Sequence, residues 1–239
     1  MNLAQDLKSL IKGEVATDDT TLDKYSTDAS LFKIKPAVVV FPKDGEDVQA
    51  VVRYVRQHKK ENKNLSVTAR SAGTDMTGGP LSESVVLSFT EHMNNFDIDA
   101  ESKLAKTQPG VYYRDFEKAS LSKNLLMPSY PASKSIAAMG GIVNNNSGGE
   151  KTTKHGKTER FVNKVKMVLA DGNEYEFGPI TKEELENKKS QDDFEGEVYR
   201  RMHKLIEDNY ELIKHAKPDV QKNSAGYKLW DVWDREKGQ

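Results

Sequence analysis

Residues 70–79 read RSAGTDMTGG and set three glycines (Gly73, Gly78, Gly79), two threonines (Thr74, Thr77) and the small Ser71 and Ala72 directly after the apolar run LSVTA. Glycine admits positive φ and lets a ligand approach the backbone without a Cβ in the way. Successive exposed N–H groups in such a turn form a concavity suited to anions, and a phosphate is the natural occupant. The same composition also serves as a tight connection between two buried strands.

A second cluster, residues 127–149, reads MPSYPASKSIAAMGGIVNNNSGG. It brings the pairs Gly140, Gly141 and Gly148, Gly149 together with three consecutive asparagines at 144–146. Asparagine amides donate and accept toward the polar edge of a heterocycle, and paired glycines allow close backbone approach. Two such clusters point to one extended ligand with a phosphate part and a ring part.

Other chemistries are absent from the sequence. Neither GxGxxG nor GxxxxGK followed by Ser or Thr occurs, which argues against a Rossmann dinucleotide site and a P-loop NTPase. With no cysteine, this chain has no disulfides, thiolate metal sites, iron–sulfur ligands or thiol nucleophiles, and no HxH, HExxH or carboxylate cluster has metal spacing. His155 follows the second cluster, where it serves either as a base or hydrogen-bond donor facing a ring, or as a surface-loop histidine. His58, His203 and His215 sit in charged helical patterns and read as solvated, and His92 takes no assignment.

The elements that must position these loops follow from hydrophobic periodicity. Residues 37–41, AVVVF, read as a buried strand. Val48, Val51, Val52 and Val55 then give a helical stripe, with Asp44 as N-cap and basic residues 58–60 at the end. Runs at 65–69 and 85–89 flank the first glycine loop and complete a βαβ unit with a right-handed crossover. Segments 96–99 with 104–107, and 165–169 with 174–177, predict two antiparallel hairpins, the second turning at Asp171 and Gly172. A helix is predicted over 112–123 and a loop region over 127–149. Eight of the sixteen glycines fall between residues 73 and 149, so permissive backbone is concentrated around the presumed ligand.

The chain of 239 residues carries 36 basic and 37 acidic side chains, so no global field draws it to nucleic acid or an anionic membrane. The first residues form a short amphipathic helix through Leu3, Leu7, Leu10 and Ile11 and lack the apolar core of a signal peptide, and no stretch approaches the roughly 20 apolar residues of a membrane span. A soluble cytoplasmic protein is the expectation, with peripheral membrane association left open. Residues 181–217 are charged and helical in pattern. Val198, Met202, Leu205, Ile206, Leu212 and Ile213 line one helix there.

In order and spacing, YSTDASLFKIKPAVVVFPKDGEDVQAVV, RSAGTDMTGG, QPGVYYRDF, the 127–149 segment and KHGKTERFVNKVKMVLADG resemble a known family from about Tyr25 to Phe177. The family is the PCMH-type FAD-binding domain of the vanillyl-alcohol oxidase and p-cresol methylhydroxylase superfamily. Within it, the chain is most similar to the branch of FAD-linked glycolate oxidase and D-lactate dehydrogenase. The resemblance implies an α+β fold of two α/β lobes with FAD between them: a small βαβ-containing lobe over 36–90 and a larger mixed, antiparallel lobe over 91–180. Residues 1–35 form a lead-in and 181–239 a charged helical extension.

By the same resemblance, Arg70, Ser71, Ala72, Gly73, Thr74, Asp75, Thr77 and Gly78 form the pyrophosphate loop, with amides and threonine hydroxyls facing the phosphates. Pro131, Ser133, Gly140, Gly141, Asn144, Asn146 and Gly149 line the ribityl chain and isoalloxazine ring, and Phe161 and Val162 pass the adenine. FAD is expected to be noncovalent, because there is no cysteine and no histidine in the first loop.

KNSAGYKLWDVW, residues 222–233, has a core-packing reading through Tyr227, Leu229, Trp230 and Trp233. It also resembles the family's handover to a substrate domain, and the family then continues for a few hundred residues. The expected function is therefore the FAD domain of a 2-hydroxy acid oxidoreductase whose turnover needs a substrate domain or partner chain. A non-catalytic electron-relay subunit and an enzyme like the UDP-N-acetylenolpyruvylglucosamine reductases are the alternatives.

Overall fold

The structure is a computed structural model describing residues 2–220, 223 and 226–238. The chain divides into two compact units. The first runs to Val162 and adds Val168–Glu174; the second holds Asn163–Met167 and the chain from Tyr175 onward. None of the described helices is long and apolar enough to cross a membrane.

The first unit is built on a four-stranded sheet in the order β1-β2-β4-β3. Its strands are β1 (Glu14–Ala16), β2 (Val38–Phe41), β3 (Val67–Arg70) and β4 (Val85–Ser88). β2, β4 and β3 are parallel, with Val38 and Val67 both opposite Val85, and β1 runs antiparallel at the edge. The continuous valine runs of β2 and β4 are explained by cover on both faces. Val38, Val40, Val85 and Leu87 pack with Leu7 of α1 (Leu3–Leu10) and with Val48, Val51 and Val55 of α3 (Gly45–His58). Val39 and Val86 meet Leu22 of α2 (Asp19–Lys24) and Tyr25 on the other side.

Asp44 caps α3 by accepting from the amides of Glu46 and Asp47. The buried Asp47 carboxylate in turn accepts from the amides of Lys12, Gly13 and Lys43, which ties the turn before β1 to the helix. His92, unassigned from sequence, pairs with Glu14 of β1.

A second core holds the rest of this unit. Ile98 of the hairpin β5 (Phe96–Asp99) and β6 (Leu104–Thr107) gathers with Val111, with Tyr113 and Phe116 of α4 (Tyr113–Ser122), and with Tyr130, Met139 and Ile142. The segment read as a loop over 127–149 contains a helix, α5 (Met139–Asn144), followed by α6 (Thr152–His155) and a 3-10 turn at Thr158–Phe161. Tertiary hydrogen bonds override the poor helix propensity of the glycine pair: Met139 donates to Val111 O and Gly140 to Pro109 O, each at 2.8 Å.

The predicted second hairpin is present as β7 (Val165–Val168) and β8 (Glu174–Phe177), with Gly172 at φ 84° in its turn. In the second unit, Thr181 and Glu184 form a capping box on α7 (Lys182–Ser190). α8 (Phe194–Asp208) and α9 (Tyr210–His215) follow. Of the apolar stripe assigned to them, Ile206 is buried, whereas Met202, Leu205 and Leu212 are exposed.

In the 222–233 segment, Lys222, Ser224 and Ala225 lie outside the described residues. The core-packing reading fails for Tyr227, which is 90% exposed. Trp233 instead donates to Glu207 at 2.7 Å and packs edge-on against His203. His203 is thus half-buried rather than freely solvated, and burial pushes its pKa down.

Candidate cofactor site

The first glycine loop leaves the end of β3, where Phe89 donates to Arg70 O at 3.1 Å. Gly73 has φ 68°, and a Cβ there would lie 2.4 Å from the Arg70 guanidinium. Arg70 is a strut under the loop, spread 5.1 Å over the Tyr25 ring, and desolvation pushes its pKa below the ordinary value.

Partial burial pushes the Asp75 carboxyl up, but donors from Thr77, Gly79 and Met76 outweigh it and hold the pKa below the usual range. Asp75 Oδ2 accepts from Thr77 Oγ1 at 2.7 Å and from the amides of Thr77 and Gly79 at 3.2 and 2.8 Å. The Thr77 hydroxyl is therefore engaged by Asp75. The N-terminal half of the loop behaves differently. Among the described residues, none accepts a hydrogen bond from the amides of Ser71, Ala72, Gly73 or Thr74. A buried or half-buried N–H needs an acceptor, so this run is a donor set for an anion.

The second cluster is held from several sides. Tyr113 donates its hydroxyl to Met127 O at 2.6 Å, and Tyr130 donates to Glu150 at 2.8 Å. Ser133 O accepts from the amides of Ile136 and Ala137, and Pro131 O from that of Lys134. Asn146 sits at φ 44° and accepts from the Glu159 amide at 2.9 Å, so its carbonyl caps the 3-10 turn. A Cβ on Gly149 would lie 2.4 Å from Tyr130 O, which makes this glycine a packing requirement of the loop itself. Asn144 is exposed on α5, Phe161 is exposed, and Val162 is half-buried. His155 closes α6 outside the cleft described below.

The two clusters meet at a residue that the sequence had not singled out. Pro109 O accepts from Ser71 Oγ of the first loop at 2.8 Å and from Gly140 N of the second at 2.8 Å. Gly141 lies just beyond. A Cβ built on it would meet only Ser71 Cβ, at an ordinary 3.8 Å. Nothing in the protein requires glycine at 141, so the space beside Ser71 is a cradle that an added Cβ would begin to fill. The free amides of 71–74, the open space at Gly141 and the junction at Pro109 fit an extended ligand carrying phosphate. An open cleft of about 390 Å³ adjoins the loop, lined by Ala72, Gly73 and Thr74 together with Lys24, Tyr112 and Arg114. Its volume lies in the range of small-molecule sites.

Comparison with known proteins agrees with this geometry. The family described as FAD binding domain matches residues 36–178. That is more than half of the chain, and the chain belongs to this family. Its cofactor is FAD.

The chain is 27% identical over 226 residues to D-2-hydroxyglutarate dehydrogenase of Pseudomonas putida, covering 94% of this chain and 22% of that one. It is 33% identical over 168 residues to glycolate oxidase subunit GlcD of Bacillus subtilis, covering 68% and 34%. It is 33% identical over 137 residues to D-lactate dehydrogenase of Archaeoglobus fulgidus, covering 56% and 29%. The chain thus spans a fifth to a third of the length of these relatives.

Among solved structures, 6-hydroxy-D-nicotine oxidase from Arthrobacter nicotinovorans superposes with a TM-score of 0.61 at 23% identity, covering 70% of this chain and 36% of that one. Alkyldihydroxyacetonephosphate synthase gives 0.63 at 19%, covering 74% and 34%. The fold is the α+β, PCMH-type FAD-binding fold.

Proposed function

We propose that this chain is the flavin-holding part of an FAD-linked oxidoreductase that converts 2-hydroxy acids to 2-oxo acids. The convergence of the two glycine clusters on Pro109 O carries the reading, and the 2-hydroxy acid enzymes among the relatives support its substrate class. FAD supplies the hydride-accepting ring. This chain's residues bind and orient it.

The amides of 71–74 hold the diphosphate, while Arg70 and Asp75, with Thr77 and Gly78, keep that loop in shape. Pro131, Ser133, Gly140, Gly141, Asn144, Asn146 and Gly149 line the ribityl and ring portion, and Phe161 and Val162 lie along the adenine. Binding is noncovalent, since no cysteine exists and no histidine lies in the first loop. The groups that recognise substrate and take its proton belong to polypeptide beyond this chain, in a substrate domain or a partner. A reducing, cytoplasmic location completes the reading and suits a sequence without cysteine.

The test is reconstitution with FAD followed by gel filtration. Retained flavin absorption, with maxima near roughly 370 and 450 nm, is the expected result, and preference for riboflavin or FMN over FAD would overturn it. Anaerobic addition of 2-hydroxy acids, with and without the polypeptide encoded next to this chain, then tests substrate. Flavin that bleaches only when that polypeptide is present supports an incomplete enzyme. Flavin that never bleaches assigns the chain to electron relay.

A further inference from the structure

Four charged side chains line the cleft beside the first loop: Lys24, Asp28, Arg70 and Arg114. The Asp28 and Arg70 charges offset one another at a distance, without a direct ion pair. Asp28 uses Oδ1 to hold the amide and hydroxyl of Ser30, and its charge supports the half-desolvated Arg70. That leaves two cations. Lys24 ends α2 and forms no ion pair among the described residues, lying 5.5 Å over the Tyr25 ring. Arg114 is fixed by a carbonyl and a ring rather than by a carboxylate. It donates to Ser135 O at 2.8 Å and lies 4.1 Å over Tyr112, with Asp115 only at 3.9 Å. Its position is set while most of its charge stays uncompensated. The same cleft is lined by Ala72, Gly73 and Thr74, whose amides have no acceptor among the described residues.

We propose that Lys24 and Arg114 are the counter-charges of the cofactor's diphosphate, making this cleft the determinant of selectivity for the dinucleotide over uncharged flavin. The inference rests on the FAD reading above. A diphosphate diester carries two negative charges, and the cleft offers Lys24 and Arg114, neither held by a close carboxylate, together with a row of N–H donors. Guanidinium meets phosphate oxygens in a bidentate fork, and lysine acts as a point charge, so the two have different tolerances to exchange.

The experiment measures Kd for FAD and riboflavin by flavin fluorescence, and for ADP by competition with FAD, in the wild-type protein and in Lys24→Gln, Arg114→Gln and the double variant. Each single variant is expected to weaken FAD and ADP together by about fivefold to tenfold at low salt, and the double variant by more than either. The salt dependence of FAD binding should flatten with each charge removed, and riboflavin affinity should stay put. Arg114→Lys should recover part of the loss. FAD and ADP affinities equal to wild type in the double variant would overturn the proposal. So would a parallel loss for riboflavin, which would mark a merely structural role. A wild-type protein that retains no FAD would overturn the cofactor reading and this inference with it. Circular dichroism of each apo-variant separates misfolding from lost charge, and Lys24→Gln, on a helix end, keeps the test open if Arg114→Gln misfolds.

Discussion

Ser71 Oγ and Gly140 N donate to one acceptor, the carbonyl oxygen of Pro109, each at 2.8 Å. The spacing between the two glycine clusters is thereby set by a single peptide group. Removing the Ser71 hydroxyl leaves Pro109 O still bonded to Gly140, so no buried acceptor is orphaned. Ser71→Ala should therefore cost only about 1 kcal/mol of stability, near 2–4 °C in Tm. Release of the first loop should be felt more strongly by the ligand, and FAD titration should show a Kd raised about fivefold or more. A large Tm loss with unchanged FAD affinity would contradict the reading.

Gly141 and Gly73 should respond differently to alanine. At Gly141 the protein has room, with Ser71 Cβ at 3.8 Å, and helix α5 gains from a better helix former. The apo-protein should melt at the wild-type temperature or above it, yet bind FAD at least about tenfold more weakly as the methyl enters the cradle. At Gly73 the added Cβ meets Arg70 at 2.4 Å in a left-handed conformation. Stability should fall by about 1–2 kcal/mol or more even without cofactor. Paired thermal melts with and without FAD make the comparison.

Asp75 links the first loop to pH. Its carboxyl sits below the ordinary value of 3.8 in the fold, so its contribution is present above that value and is lost as pH falls through the lower folded one. FAD retention should therefore hold from neutrality down to the ordinary carboxylate value and fail only as pH falls through the lower folded one. Asp75→Ala frees Thr77 and Gly79 and should weaken FAD already at pH 7, which a binding curve against pH would show.

Tyr54 works at the other end of the scale. Burial, then its 2.7 Å hydrogen bond to Asp6, pushes its hydroxyl up to about 12. A raised pKa stabilises the fold below the unfolded value, near 10. That stabilisation disappears as pH climbs toward 12. Urea unfolding at pH 8 and pH 11 should show a steeper alkaline loss in wild type than in Tyr54→Phe. Tyr54→Phe should itself be about 1 kcal/mol weaker at pH 8.

Much of this was legible in the residues. Uninterrupted valines at 38–40 and 85–86 announced strands covered on both faces, and Asp44 with the Val48, Val51, Val55 stripe announced α3. β1 was not legible, because Glu14, Val15 and Ala16 are too short and too mixed to carry a period, and pairing with β2 creates the strand. α5 was hidden behind Gly140, Gly141 and Asn144, whose local preferences oppose a helix that only tertiary bonds explain. Both glycine clusters stood out as candidate loops. Their junction did not, since a backbone carbonyl at Pro109 leaves no side-chain signature. Thr77 shows the reverse case, a hydroxyl that looks available in sequence but is taken by Asp75 in the fold.

The Pro109 junction also bears on how the site comes into existence. Its bond to Ser71 spans 38 residues and joins the end of β3 to the segment leading into α4, while the bond to Gly140 enlists a helix packed into the second core. Each bond joins elements from separate parts of the first unit, so both are in place only when the sheet and the second core are both formed. Flavin capture would thus report the completion of folding. A newly made chain should gain its cofactor in the last kinetic phase, and excess FAD should slow unfolding without hastening the early phases of refolding.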